Sequence, residues 1–543
     1  MTFALPSGEI RINGKKVRTE KTVPVISPTT EETIGEICIA SEKDVALAVE
    51  AADEAFKTWR SVSLDHRISY LRRFREQALK KLEELAWINA YESGKPLLMG
   101  IGDAAFGCVA NAKYHEMFAK DFLREREIPH PFPFNLIHQL KKTYRVFSPL
   151  GAIAVISPWN VPLFLSLAHI IPALIAGNTV VFKPSAYSSF VSLKAYEMFE
   201  EAGLPPGVLN VVTGTGPETG TYLTRSKVRK VSFTGSSLAG KKVLENCAGN
   251  LIPASLELGG DNASIVLRDA DLDRAASGAV FGAFWNSGQI CMSTKRVLVA
   301  REIKEEFVRK VVKMTRKLKV GDPFDADTDI GPLMFKHELD NMDRFVQDAV
   351  AKGAKLECGG RRLQRKGYYY EPTVLSNAKM SMVLACEEVF GPVMSIFEFE
   401  TEEEAIAMAN YPEYGLSAAV WSRDIRKAKD VARRLEAGQI WINDTSFIEL
   451  YSPYGGVKKS GFGRTLAKEG LRDFTMQKSI TVYTGRLPLV NPAWFPWTET
   501  SIRDLVNGIK LFCSDGLRGK LTTLIAWLKA ALAHEKEYRD FTK

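Results

Sequence analysis

From residue 151 onward, short β-branched runs alternate with helical stretches, and this constrains the fold more than any other feature of the chain. Residues 152–156, 180–182, 208–212 and 230–233 are predicted strands, with helices over 163–175 and 191–202. The pattern resumes with strands at 263–267, 297–300 and 393–397 and helices at 271–285 and 305–318. Apolar strands separated by helices belong to a largely parallel α/β sheet covered on both faces. A chain of 543 residues exceeds what one core supports, so two or three domains are expected. The simplest division begins a second α/β domain near Glu257, and no internal repeat is apparent.

The flanks differ in texture. Residues 41–92 are largely helical, with Val45, Ala48, Val49 and Ala52, then Leu71, Phe74, Leu79, Leu82 and Leu85, spaced three and four apart. A turn is expected at 24–28 and a break at 61–65. Residues 129–134, rich in proline and aromatic side chains, precede a strand at 142–147, which suggests a small arm leaving its own domain. Beyond Gly485, residues 487–497 carry three prolines and two tryptophans and read as an irregular strap. Leu521, Leu524, Ile525, Leu528 and Leu532 then mark one face of an amphipathic helix.

Composition excludes several classes. The net charge of +8 is not concentrated in any basic run, which argues against nucleic-acid binding. Seven widely separated cysteines without a CxxC pair argue against disulfides and a zinc cluster, and fit a reducing, cytoplasmic setting. No HExxH or paired-ligand spacing occurs among the seven histidines, so no catalytic metal is expected. The N-terminus lacks a signal-peptide pattern. The apolar stretch 162–184 is broken by His169, Pro172, Gly177 and Asn178, so no integral membrane segment is expected.

Three segments carry candidate chemistry. Cys291 closes Asn286-Ser287-Gly288-Gln289-Ile290-Cys291. On its own such a cysteine is more often an inert core residue; at a helix start, backbone N–H groups would favour its thiolate. Glu257 precedes Gly259-Gly260, a tight turn able to aim a carboxylate into a cleft, although most glutamates simply face solvent. Asn160 lies between Pro158 and Pro162, where its stiffened amide either donates to an oxyanion or caps a turn. Lys183 follows a strand, well placed for ribose or phosphate oxygens. Gly214, Gly216 and Gly220 form GxGxxxG, a weak dinucleotide signal by itself.

Taken together, Pro158-Trp159-Asn160, Phe182-Lys183-Pro184-Ser185, Phe233-Thr234-Gly235-Ser236, Glu257-Leu258-Gly259-Gly260, the Cys291 segment and Glu387-Glu388-Val389-Phe390-Gly391-Pro392 resemble the aldehyde dehydrogenase superfamily. Pro453-Tyr454-Gly455-Gly456 through Gly463-Arg464-Thr465 extends the resemblance, which covers most of the chain to about Thr484.

The resemblance implies oxidation of an aldehyde to its acid through a cysteine thiohemiacetal and thioester, then hydrolysis, with NAD or NADP. It implies Cys291 as nucleophile, Glu257 as general base, and Asn160 with the Cys291 N–H as oxyanion donors. It places Ser157, Trp159, Lys183, Ser185, Ala186, Gly216, Phe233, Gly235, Ser236, Glu388 and Phe390 at the cofactor. The implied fold has a Rossmann-like cofactor domain (1–128 and 148–256), an α/β catalytic domain (257–460) and a small β oligomerisation arm (129–147 and 476–485). A C-terminal extension follows at 486–543, either covering a neighbouring subunit or gating the substrate tunnel. The arm implies a homo-oligomer, a dimer or homotetramer.

The sequence departs from the family at four positions. Ala186 stands where a glutamate binds the 2′-hydroxyl, Asp261 where many relatives carry lysine, Tyr454 where phenylalanine is frequent, and Thr465 where glutamate is common. Phe284, Trp285 and Phe447 suggest room for an apolar or aromatic aldehyde. Two competing readings are a coenzyme A-acylating enzyme, which Glu257 disfavours, and an inactive structural protein of this fold.

Overall fold

The computed structural model describes residues 3–130, 141–483, 495–513 and 517–543. The chain forms two units, Met1–Phe122 with Pro149–Met476, and Leu123–Ser148 with Gln477–Lys543.

The first unit holds two large sheets. Across the first, the order is Lys15–Val17, Ile10–Ile12, Leu209–Val211, Thr179–Lys183, Ala152–Ile156, Lys230–Thr234, Ala254–Glu257 and Gly461–Phe462. The strands from Leu209–Val211 through Ala254–Glu257 are parallel, and the outer pairings are antiparallel. Val45, Ala48 and Ala52 of helix Glu42–Trp59 and Val243 of helix Ser237–Ala248 pack against this sheet, as their spacing dictates. Helix Pro162–Ile175 is buried on all sides except at Leu165. Its 14 residues fall short of a bilayer span, and among the described residues no helix is long and apolar enough to cross a membrane.

The second sheet runs Lys355–Cys358, Thr373–Ser376, Val393–Phe399, Thr294–Ala300, Asn262–Val266, Ser417–Trp421 and Gln439–Ile442, parallel except for its first pair. Cores lie on both of its faces, one around Phe345, Phe397 and Leu298, the other around Phe284, Phe307 and Trp421.

The 41–92 region divides into helices Glu42–Trp59, Leu64–Lys80 and Leu82–Ser93. A capping box of Ser41 with Asp44 starts the first, and Ser63 caps the second through the His66 N–H. The expected turn at 24–28 is instead largely strand. Thr22–Ile26 pairs antiparallel with Thr33–Cys38, and Pro24 is tolerated because a two-stranded ribbon leaves one edge of each strand unpaired.

In the second unit, Arg126–Ile128, Lys141–Pro149 and Thr475–Tyr483 make a three-stranded sheet. Residues 131–140 of the expected arm, 484–485 of its late strand and 486–494 of the strap lie outside the described residues. Helix Leu517–Thr542 contains the expected amphipathic segment, and a helix not foreseen, Glu499–Cys513, packs along it. Ser501 Oγ lies 3.1 Å from His534 Nδ1, and Thr500 donates to Glu537. Ile525, Leu528 and Leu532 are exposed, so burial lends no support to either role expected of this helix.

Candidate active site

The parallel order of the first sheet explains why segments far apart in sequence meet. Ile156 pairs with Lys183 and Phe233, and Thr234 pairs with Glu257. Residues just past these carboxyl ends therefore line one edge, the position where open α/β sheets bind ligands. Only Leu258 to Asp261 separate Glu257 from Asn262, where the second sheet begins. The Cys291 and Glu388 segments likewise enter the amino ends of Thr294–Ala300 and Val393–Phe399, two strands of that sheet.

Cys291 does not begin a helix. A turn closed by Ser293 N–H donating to Ile290 O leads straight into the strand at Thr294, leaving no room for helical residues. Asn262 Nδ2 donates to the carbonyls of Cys291 and Ser293, both at 2.8 Å. Upstream, Asn286, Ser287 and Gly288 have φ of 51°, 56° and 72°, three consecutive left-handed residues. Such strain persists only where surroundings over-determine it.

Two buried lysines do so here. Lys95 donates to Asn160 O and, at 3.3 Å, to Asn286 Oδ1. Lys295 donates to Gly288 O at 2.8 Å and Gly391 O at 2.9 Å, tying the thiol loop to the Glu388 segment. Burial lowers their pKa values to about 8 and about 7. Replacing Lys295 by Met removes the donor to the buried Gly288 O, at a cost of about 1–3 kcal/mol, while Gly391 O keeps the Val393 N–H. A melting temperature lower by a few degrees is the expected reading in a thermal scan, and an unchanged one would show the tie to be idle.

Asn160 Nδ2 donates to Gln289 O at 3.0 Å, which sets its amide beside the thiol loop. Its Oδ1 has no partner among the described residues. Glu257 is 6% exposed; Thr465 Oγ1 donates to its Oε1 at 3.4 Å, and Oε2 has no partner among the described residues. Burial raises the Glu257 pKa well above the carboxylate range, opposed by Arg464. The Cys291 thiol is pushed up to about 12, mainly by burial and further by the negative charges of Glu388 and Glu257.

Asp261, the departure from lysine, forms a buried ion pair with Arg296, Oδ2 to Nε 2.9 Å. Arg296 also donates to the carbonyls of Asp261 and Met408.

Of the residues expected at the cofactor, Ser157, Trp159, Lys183, Ser185, Ala186, Gly216, Phe233, Gly235 and Ser236 lie at or just past strand ends of the first sheet, whereas Glu388 and Phe390 precede a strand of the second. Ser157 Oγ is buried without a partner among the described residues, Lys183 Nζ donates to Pro184 O, and burial lowers its pKa to about 8. Ser185 accepts from Tyr187 N–H at the turn that includes Ala186. Gly216 starts a short helical segment that Thr215 caps. Gly235 and Ser236 lead into helix Ser237–Ala248, Ser236 accepting from Ala239 N–H. Phe233 packs into the core beneath Gly235. Glu388 Oε1 accepts from Gly260 N–H at 3.0 Å, and burial raises its pKa to about 7. The Phe390 ring meets Trp159 edge-on at 5.7 Å. An unsatisfied hydroxyl, a buried lysine and a capped helix start suit a dinucleotide.

Cys291 and Asn160 share the wall of a cavity of about 420 Å³. Phe106, Phe164, Phe281, Trp285, Phe447 and Tyr454 supply most of its aromatic surface, while Asp444 lies among its polar lining. Phe284, expected here with Trp285 and Phe447, is 2% exposed and turned into the core behind, because it sits on the inward face of helix Leu272–Phe284. Among the described residues, no group of three or more His, Cys, Asp and Glu side chains could hold a metal ion.

Residues 16–480 match the aldehyde dehydrogenase family. The chain belongs to that family. It is 38% identical over 494 residues to the chloroplastic betaine aldehyde dehydrogenase of Atriplex hortensis, covering 89% of this chain and 97% of the relative. The crystal structure of betaine aldehyde dehydrogenase from Staphylococcus aureus in complex with NAD+ matches with a TM-score of 0.83 and 35% identity over 90% of this chain and 97% of that one. An NADP-dependent enzyme of E. coli matches with a TM-score of 0.83 and 33% identity, covering 88% and 98%. As an aldehyde dehydrogenase, the chain is an enzyme that oxidises an aldehyde to the acid through a cysteine intermediate, with NAD or NADP. Its fold is the family's, with a Rossmann-like domain, a catalytic domain and a small β arm.

Sequence reasoning missed Lys95, Lys295, Phe335 and Tyr187. The lysines carry no motif, and only their burial marks them. The Phe335 ring meets Trp159 at 5.3 Å and Tyr187 at 4.6 Å, beside the cofactor residues, although it lies about 150 residues further along the chain.

Proposed function

We propose that this enzyme oxidises an apolar or aromatic aldehyde, with Cys291 as nucleophile, Asn160 as oxyanion donor and Glu257 as the base that activates water. The observation that carries this reading is the aromatic cavity with Cys291 and Asn160 on one wall. The Cys291 thiolate attacks the carbonyl carbon, and the oxygen that becomes negative takes hydrogen bonds from Asn160 Nδ2 and the Cys291 N–H. NAD or NADP, when bound, supplies the hydride acceptor. Ser157, Trp159, Lys183, Ser185, Ala186, Gly216, Phe233, Gly235, Ser236, Glu388 and Phe390 are the residues proposed to hold it. Re-forming the carbonyl leaves a thioester on Sγ. Glu257 then removes a proton from water, which attacks that carbon, and collapse releases the acid and the thiolate.

Hydrolysis rather than transfer to coenzyme A is favoured by a buried carboxylate whose raised pKa makes it a stronger base once ionised. Ala186 neither repels nor recognises a 2′-phosphate, which leaves both cofactors in the reading. A homo-oligomer, dimer or tetramer, in a cytoplasmic setting completes the proposal. The cytoplasmic setting is supported by seven free cysteines and the oligomer by the exposed strand Thr475–Tyr483.

Asp444 on the cavity lining favours a second reading, a cationic aldehyde like the betaine aldehyde named for the relatives, held by ring faces and a carboxylate. A panel of neutral aromatic, aliphatic and trimethylammonium aldehydes, each with NAD and with NADP, decides. The expected outcome is a kcat/KM at least about tenfold higher for neutral aromatic or medium aliphatic substrates, since each buried CH2 contributes about 0.8 kcal/mol. Preference for the trimethylammonium aldehyde would establish the second reading instead.

A further inference from the structure

The late glycine-rich segment touches both halves of the chemistry. Tyr454 is 6% exposed, and its hydroxyl lies 3.7 Å from Cys291 Sγ, within hydrogen-bonding reach of sulfur. Tyr454 and Thr465 form an antiparallel bridge, with N–H to carbonyl distances of 2.8 and 2.7 Å in the two directions. The bridge holds Thr465 so that its hydroxyl meets Glu257 Oε1. Gly455 lets the chain pass this close. With φ of +157°, a Cβ there would lie 2.8 Å from Glu257 Oε1 and 3.0 Å from Arg464 Nη1. Two residues paired across one bridge thus address the nucleophile and the base.

We propose that Tyr454 is a further catalytic residue whose hydroxyl donates to the Cys291 sulfur and stabilises the thiolate, while Thr465 is a positioning residue that orients the Glu257 carboxyl. This rests on Cys291 and Glu257 having the roles given above. Around the sulfur, Glu388 and Glu257 both bring negative charge that opposes ionisation, and the Tyr454 bond is the leading influence that favours it. Ionisation moves the thiol proton to water, while Tyr454 keeps its own and transfers nothing. Burial, and then the negative charges of Cys291 and Glu257, hold the phenol neutral, so it remains a donor throughout. The bond is stronger to a thiolate than to a thiol, because a charged acceptor roughly doubles its strength. The Met292 N–H also favours the thiolate, but less than the phenol does.

The test is the pH dependence of Cys291 alkylation by iodoacetamide, followed by peptide mass spectrometry, in the wild-type enzyme and in Tyr454→Phe and Thr465→Val. Tyr454→Phe keeps the ring and removes only the hydroxyl. Its alkylation profile is expected to move up by about one pH unit, roughly a tenfold slower rate near neutrality, with kcat/KM for aldehyde reduced by a similar factor and dinucleotide affinity unchanged. Thr465→Val is expected to leave the alkylation profile in place and slow thioester hydrolysis. An unmoved profile in Tyr454→Phe overturns the proposal, as does loss of cofactor affinity in parallel with activity. If alkylation of Cys291 in the wild type leaves aldehyde oxidation intact, the proposed nucleophile itself is wrong, a failure distinct from either.

Discussion

Replacing Cys291 by alanine is expected to abolish aldehyde oxidation, with a loss on the order of 10⁴-fold or more in kcat. Dinucleotide affinity is expected to persist, because most of the proposed cofactor residues, Ser157 to Ser236, are anchored on the first sheet, whereas the Cys291 segment enters the second. The loss is this large because no other group can take the role. Of the remaining six cysteines, none lines the cavity that holds Cys291 and Asn160. Cys38, Cys108 and Cys247 are buried, Cys108 and Cys247 with thiol pKa values that burial raises. Stopped-flow reduction of the nicotinamide under single-turnover conditions gives the measurement. Retention of more than a few per cent of the wild-type burst would remove Cys291 from the mechanism.

Glu257→Gln should separate the two halves of the reaction. Acylation and hydride transfer do not need a base that activates water, so one burst of reduced cofactor is expected, followed by a stalled steady state. The slowing is on the order of 10²- to 10⁴-fold, the usual contribution of general-base catalysis. Coenzyme A added to the stalled enzyme discriminates the acylating alternative. Rapid recovery with formation of the acyl thioester would establish it, and no recovery supports hydrolysis.

The pH dependence has a definite sign. The working form is the carboxylate, and burial raises its pKa, so wild-type deacylation climbs with pH through that raised value. The glutamine variant shows no such limb. Stability runs the other way. Above the ordinary carboxylate range, the unfolded chain has released a proton that the folded chain keeps, so stability falls as pH rises toward the folded value. The variant lacks this decline and is expected to melt above the wild type at alkaline pH.

How far the sequence could be read depended on the range of the interaction. Strands such as Ala152–Ile156 and helices such as Pro162–Ile175 follow from local apolar patterns and fell close to their expected bounds. The segments bearing Cys291, Glu257 and Asn160 were legible because each motif is contiguous. Pro24 misled, since proline reads as a turn unless the strand is known to lie at an edge. Cys291 was weighed as a helix start because the strand beginning at Thr294 is longer than its β-branched core suggests. Helix Glu499–Cys513 went unnoticed, although Ile502, Leu505, Val506 and Ile509 mark a helical face.

The sequence by itself determined the α/β class, the family and the residue types that can attack, donate and accept, because these are local or motif-borne properties. Only the tertiary structure decided which distant groups serve them. Lys295 reaches Gly391, nearly a hundred residues away, and Tyr454 reaches Cys291 across more than 150. A hydrogen bond depends on separations of a few ångströms, and chain spacing carries no record of which side chains folding brings that close.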